Sequence, residues 1–418
     1  MTLVPQPSSR GGSCLPWTFA LVVSLFATAM FLLGPGKQAA IQCVQSCSRQ
    51  QPETSDIVRE SSSSSNLKTS RGDALSNNVD DVIRHARAIA ATYIPLETIT
   101  AFPTSFWFVK NVKVGGTTLA GVLRAICAHY GMACLNPLEG RIGWKKEEDI
   151  REVAAAALAV GFEHVTISNH GAYIPSAARY LGKGKPLLFT TLRHPVNRVL
   201  SAYFYNLIGS HRSHTGVPEQ EGEDCVAALQ AGKKCKLLEG FEDHYVHGDG
   251  VFGRNHIFKY IHGDEKTARD AFQQYDFVFM TERFDESLVL FMLKYGLALR
   301  DIAYLKMKDR SGTYPREEDM PKKAIDFIKE SNTLDLELWD LANAALDAQR
   351  DSLSKEGHDV EGAMEAFAAM QAVVAAECSD YEEWYEKHGF NTMLTYWGRD
   401  NGVGSRCIMH AVKLAGFG

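Results

Sequence analysis

The stretch FWFVKNVKVGGTTLAGVLRAICAHYG, which starts at Phe106, constrains the fold more than any other part of the chain. Its opening residues, 106–110, read as a short apolar strand. Leu119, Val122, Leu123, Ile126 and Tyr130 then recur at i, i+3, i+4, i+7 and i+11, which is one face of a helix, and Gly131 suits its stop. Between strand and helix lie Gly115, Gly116, Thr117 and Thr118. Paired glycines let the backbone turn with its N–H groups pointing inward, because no Cβ obstructs the approach. The threonines offer hydroxyl donors or a helix cap, and the helix N-terminus adds positive potential. Such a turn is a cradle for phosphate. It is not the nucleoside-triphosphate loop G-x-x-x-x-G-K-[ST], because the lysine, Lys113, precedes the glycines.

The same alternation continues downstream. DIREVAAAALAVGF reads as a helix, HVTIS (164–168) and PLLFTTL (186–192) as buried strands, and VNRVLSAYFYNLIG as the helix behind the latter. YDFVFMTE (275–282) reads as a further strand, followed by the helix DESLVLFMLKYG, and from Pro321 to about His388 the pattern is mostly helical. Strands alternating with helices predict an α/β fold, a P-loop-like and mostly parallel sheet flanked by helices on both faces.

A second strand end carries phosphate chemistry. Arg193 leaves the strand 186–192, Pro195 starts the next element, and Ser201 lies eight residues after Arg193. Arginine offers a planar fork for phosphate, and serine a hydroxyl. In doubly wound sheets ligands sit beyond the carboxyl ends of the strands. Two such ends, each with phosphate donors, suit a ligand phosphorylated at both 5′ and 3′ positions better than they suit ATP. His170 follows the strand 164–168 and is expected to face the same cleft, where an imidazole can take a proton at neutral pH. His164, at that strand's start, reads as structural, and His194 as a packing or substrate-contacting group. The spacings of His211, His214, His244, His247 and His256 match no metal site, so no metal is expected.

The rest of the chain bounds where this chemistry would operate. Residues 17–34, WTFALVVSLFATAMFLLG, carry no charge, and as a helix would span roughly 27 Å at about 1.5 Å per residue. That length suits a thin, early-secretory bilayer. A single transmembrane signal-anchor, a cleaved signal peptide and a buried helix are the possible readings, and the anchor is the one adopted. It divides the chain into a cytoplasmic tail (1–16), the span (17–34), a polar, Ser-rich disordered stem (35–97), a catalytic domain (98–400) and a C-terminal tail (401–418). Of the nine cysteines, Cys225 and Cys235 bracket a short segment that they could close in an oxidising compartment, and no paired CxxC zinc spacing is present. A net charge of -6 gives no global basic field for nucleic acid.

The motifs at 106–118 and 192–201 resemble those of the Golgi carbohydrate sulfotransferases, which use 3′-phosphoadenosine 5′-phosphosulfate (PAPS). The chain most resembles the galactose 3-O-sulfotransferase family, which includes galactosylceramide sulfotransferase. The glycosaminoglycan 2-O-sulfotransferases come next. The family's opening stretch runs roughly Phe-Leu-Lys-Thr-His-Lys-Thr-Ala-Ser-Ser-Thr. This chain keeps Phe108, Lys110, Lys113, Thr117 and Thr118, and has Gly115 and Gly116 in place of Ala-Ser. LRHP (192–195) with Ser201 matches the family's 3′-phosphate motif. FDESLVLFMLKYGLALRDIAYLKMKDR (284–310) is similar to a more specific family block, and NTLDLELWDLANAAL (332–346) to a looser one.

The resemblance implies a sulfotransferase fold in a type II Golgi membrane protein, with its catalytic domain in the lumen. It implies transfer of a sulfuryl group from PAPS to a sugar hydroxyl, foremost the 3-OH of a galactose in a glycolipid or glycan, without a metal. Lys113 would stabilise the leaving phosphate, with Lys110, Gly115, Gly116, Thr117 and Thr118 around the 5′ end of the nucleotide. Arg193 and Ser201 would hold the 3′-phosphate, Lys308, Arg310 and Ser311 would add a second nucleotide contact, and His170 would be the base. Acceptor recognition is placed on the insert 204–262. A uronyl-type 2-O-sulfotransferase and a membrane-anchored, non-catalytic carbohydrate-binding protein of the same fold stand as alternatives. A kinase or NTPase is disfavoured by the missing Walker lysine and acidic metal ligand.

Overall fold

The computed structural model of the chain describes residues 72–93, 104–135, 146–168, 170–171, 173–208, 219–235, 238, 254–261, 266–306, 315–389 and 404–418. The elements run α1 (Gly72–Thr92), β1 (Phe106–Val109), α2 (Gly116–His129), β2 (Ala133–Leu135), α3 (Glu147–Ala159) and β3 (Val165–Ile167). They continue with β4 (Leu187–Leu192), α4 (Pro195–Ile208), α5 (Glu219–Gln230), α6 (His256–Ile261), α7 (Ala268–Gln273), β5 (Phe277–Met280) and α8 (Phe284–Tyr295). The C-terminal part is helical: α9 (Lys322–Ser331), α10 (Thr333–Lys355), α11 (Val360–Glu377), α12 (Tyr381–Lys387) and α13 (Ser405–Leu414).

The five strands form one sheet in the order β2-β3-β1-β4-β5, and every pairing is parallel. β1 is central, and its four side chains are all 0% exposed. A strand buried on both faces reads as an unbroken apolar run, as FWFV does. Each such side chain contributes about 1.5–3 kcal/mol on burial. Phe189 of β4 sits in an aromatic cluster with Phe106, Phe279, Phe291 and Tyr295, ring centroids 5.2–6.4 Å away. From β1 the chain builds outward to β2, returns through β3, and crosses to β4 and β5 on the other side. The change of direction flanks β1, which is where open α/β sheets bind ligands. A second core packs α4, through Val196, Val199, Leu200, Tyr203 and Phe204, against residues of α5 and α9, and the Cys225–Cys235 disulfide ties the segment after α5 back onto that helix.

Two helices lie outside the expected catalytic domain 98–400. Residues 72–92 of the expected stem are helical and pack along α11. Val82, Ile83, Ala86 and Ile89 make an apolar helical face, and Ala86 is fully buried. The Ser-rich composition that indicated disorder stops before this segment. The expected C-terminal tail contains α13, whose Cys407, Ala411 and Val412 are fully buried. α13 is joined to the end of α11 by the Cys378–Cys407 disulfide, and Arg87 of α1 donates its Nε–H to the Leu414 carbonyl at 2.7 Å. β2, only three residues long, was not anticipated. The expected span 17–34 and residues 35–71 lie outside the described residues. Among the described residues no helix is long and apolar enough to cross a membrane.

Candidate active site

The register Val109↔Thr190 and Trp107↔Ile167 brings the carboxyl ends of β3, β1 and β4 to one edge of the sheet. Lys110 and Asn111 are each 1% exposed, so the Lys110 side chain lies beneath the turn, whereas Lys113 is half-buried at its mouth. Lys113 has φ 65 although it is not glycine. Gly115, the N-cap of α2, has φ 74, a conformation that favours glycine. Gly116 has a different reason to be glycine: a Cβ there would stand 2.9 Å from Lys110 Cγ. Thr117 is half-buried and Thr118 is 9% exposed, and among the described residues no side chain caps α2. The first N–H groups of a helix lack intrahelical partners, so the start of α2 presents positive potential at this edge.

Two neighbouring strands, β4 and β5, hold the loop in place. Asn111 Nδ2 donates to Thr190 Oγ1 at 3.1 Å, and the Thr190 hydroxyl donates to the Val109 carbonyl at 3.0 Å. The Thr281 hydroxyl, just beyond β5, lies 2.8 Å from the Val114 carbonyl and 3.0 Å from that of Leu192. Arg193, at the tip of β4, donates from Nη1 to the Lys113 carbonyl at 3.2 Å. The structure therefore brings the two expected phosphate-binding segments into contact. Ser201 lies farther along α4 and is 6% exposed. The start of α4 is held by Glu282, whose Oε1 accepts from the His194 backbone N–H at 2.9 Å and from Asn197 Nδ2 at 3.3 Å. His194 packs edge-on against Trp339, and burial lowers its pKa, an effect that Glu282 opposes.

His170 stands on the other side of β1. Its Nδ1 is 3.0 Å from the Lys110 carbonyl oxygen, which can only accept. Nδ1 therefore carries a proton there, and in the neutral form of the ring the lone pair falls on Nε2. The turn is fixed from outside by Tyr260, whose hydroxyl accepts the Gly171 N–H at 2.8 Å. Tyr260 lies on α6, and the start of α6 is held by buried Asp335 of α10. The Asp335 carboxylate accepts from the N–H groups of Ile257 at 3.1 Å and Phe258 at 2.8 Å. Burial raises the Asp335 pKa, an effect that nearby Arg198 opposes. His164, by contrast, sits at the far end of β3, bridged to Gly182.

Asn111, Thr190, Thr281 and Tyr260 belong to this site and were not among the expected residues. Lys308, Arg310 and Ser311 lie outside the described residues, as do 209–218, 236–237, 239–253 and 262 of the expected acceptor insert. Among the described residues no group of three or more His, Cys, Asp or Glu could hold a metal ion. A cavity of about 440 Å³ lies away from these tips, lined by Arg151, His164, Arg179, Tyr180 and Lys183 among others. Because His164 begins β3, that cavity belongs to the amino-terminal end of the strands. No protein-family model matches the chain, and no curated protein matches it.

Proposed function

We propose that the chain transfers a sulfuryl group from PAPS to a sugar hydroxyl, foremost the 3-OH of a galactose in a glycolipid or glycan. The observation that carries the reading is the meeting of Lys113, Arg193 and His170 at three adjacent parallel strand ends. The Gly115–Gly116 cradle and the start of α2 would receive the 5′-phosphosulfate end, with the Lys113 ammonium beside its bridging oxygen. The buried Lys110 would add positive charge from below. Arg193 and Ser201 would take the 3′-phosphate. His170 Nε2 would accept the proton of the acceptor hydroxyl as that oxygen attacks sulfur. The bond from sulfur to the 5′-phosphate oxygen breaks, leaving a sulfate ester and adenosine 3′,5′-bisphosphate. Lys113 offsets the charge that grows on the departing phosphate.

Two disulfides, Cys225–Cys235 and Cys378–Cys407, fit an oxidising compartment. Together with the uncharged segment 17–34 they support a lumenal domain on a Golgi membrane anchor. The test is to incubate the full chain in detergent with sulfur-labelled PAPS and a panel of galactosides, glycolipids and glycosaminoglycans. Label on a galactose is the expected result, and label on uronic acid alone would replace the acceptor assignment. No label and no binding of adenosine 3′,5′-bisphosphate would end the enzymatic reading.

A further inference from the structure

We propose that Tyr205 is a positioning residue that seats the Lys113 ammonium on its ring face and so holds the charge at the phosphate site. The proposal rests on the nucleotide reading above. Lys113 Nζ lies 3.6 Å from the Tyr205 ring centroid, well inside the distance at which a cation is attracted by an aromatic face. Tyr205 follows Ser201 by four residues on α4, so the two side chains share one helical face. The guanidinium of Arg193 also reaches this loop, through the Lys113 carbonyl. Arg193 thus contacts the same loop whose ammonium faces the Tyr205 ring.

An aromatic face attracts the cation through its quadrupole and carries no net charge. It leaves the site's positive potential intact for an anion. The ring is also well fixed. The neighbouring Tyr203 and Phe204 of α4 are buried in the second core, and the Cys225–Cys235 disulfide lies in that same core. The unusual φ of 65 at Lys113 sets the direction from which its side chain leaves the loop.

The test is a double-mutant cycle in the full chain, read by calorimetric titration with adenosine 3′,5′-bisphosphate. Tyr205→Leu should weaken binding about fivefold, the contribution of one part-exposed cation–π contact. Tyr205→Phe should restore it, because the ring face remains. In a Lys113→Ala background Tyr205→Leu should change nothing further. An equal loss in both backgrounds, or no rescue by phenylalanine, would overturn the proposal. If the wild-type chain binds no bisphosphate, the nucleotide reading fails, and the seat is read separately. Acylation of Lys113 by an N-hydroxysuccinimide ester, followed by peptide mass spectrometry, should be several-fold faster in Tyr205→Leu than in Tyr205→Phe. Equal rates in the two variants would remove the seat as well.

Discussion

Replacing Gly116 with alanine sets two effects of opposite sign against each other. Gly116 opens α2, and helix propensity alone favours alanine over glycine by at most about 1 kcal/mol. The added Cβ, however, would stand 2.9 Å from Lys110 Cγ, 3.4 Å from the Asn111 carbonyl oxygen and 3.5 Å from Lys110 Cε. Lys110 is 1% exposed, so its stem cannot swing into solvent to make room. Overpacking of this kind costs about 1–3 kcal/mol, which outweighs propensity and leaves a net loss of roughly 1–2 kcal/mol. Chemical denaturation followed by tryptophan fluorescence should register the loss, with fully buried Trp107 of β1 as a nearby reporter. Lys110→Ala removes Cγ, so in that background Gly116→Ala should become neutral or stabilising. Gly115→Ala behaves differently. Its Cβ meets nothing closer than Thr281 Cγ2 at 3.7 Å, and its cost, about 1–2 kcal/mol, comes from φ +74 and should not depend on Lys110. If Gly116→Ala stabilises the wild-type chain, or costs the same with and without Lys110, close approach is not why this position is glycine.

Three further outcomes are expected. His170→Ala should lower turnover by about 10²–10⁴-fold and leave bisphosphate binding intact, and an equivalent loss of binding would move His170 into the nucleotide site. Glu286 accepts two hydrogen bonds from Arg283, both 2.7 Å, and one from Arg350 at 3.1 Å, and the Arg283 bonds are the main cause of its lowered pKa. Its stabilising contribution is present above the ordinary value of 4.5 and is lost as pH falls through the depressed folded value, so Glu286→Gln should flatten the acid limb of melting temperature against pH. An unchanged limb would mean the pair contributes no pH-linked stability. The Cys378–Cys407 bridge spans 29 residues, and a Cys378→Ser variant should be less stable by roughly 3–4 kcal/mol and lose most of its sensitivity to reductant. Melting curves with and without dithiothreitol decide that, and identical curves for the wild-type chain would argue against the bridge.

The strands β1, β3, β4 and β5 were legible because each is an apolar run bounded by turn residues, and the helices after them because their apolar residues recur at helical spacing. From strand order alone, Lys113, His170 and Arg193 could be assigned to strand ends, since a parallel sheet puts all those ends on one edge. β2 was too short to stand out from the surrounding loop. α1 was hidden by the serine-rich stretch before it, although Val82, Ile83, Ala86 and Ile89 carry the period. α13 was hidden by its position at the end of the chain. The side chains that hold the cradle could not be read at all. Thr281 meets Val114 across 167 positions and Tyr260 meets Gly171 across 89, and no local pattern marks either residue. Tyr205 was read both near the end of the helix that is α4 and within the expected acceptor insert, and only its contact with Lys113 could not be read.

Calorimetric titration of the full chain with adenosine 3′,5′-bisphosphate and with adenosine 5′-monophosphate most directly tests whether one nucleotide bridges the tips of β1 and β4. The wild-type chain should bind the bisphosphate at least about tenfold more tightly, the contribution of one charge-assisted contact to the extra phosphate. Arg193→Ala should abolish that preference while leaving the monophosphate affinity nearly unchanged. Equal affinities for the two nucleotides, or a preference that survives Arg193→Ala, would contradict the account.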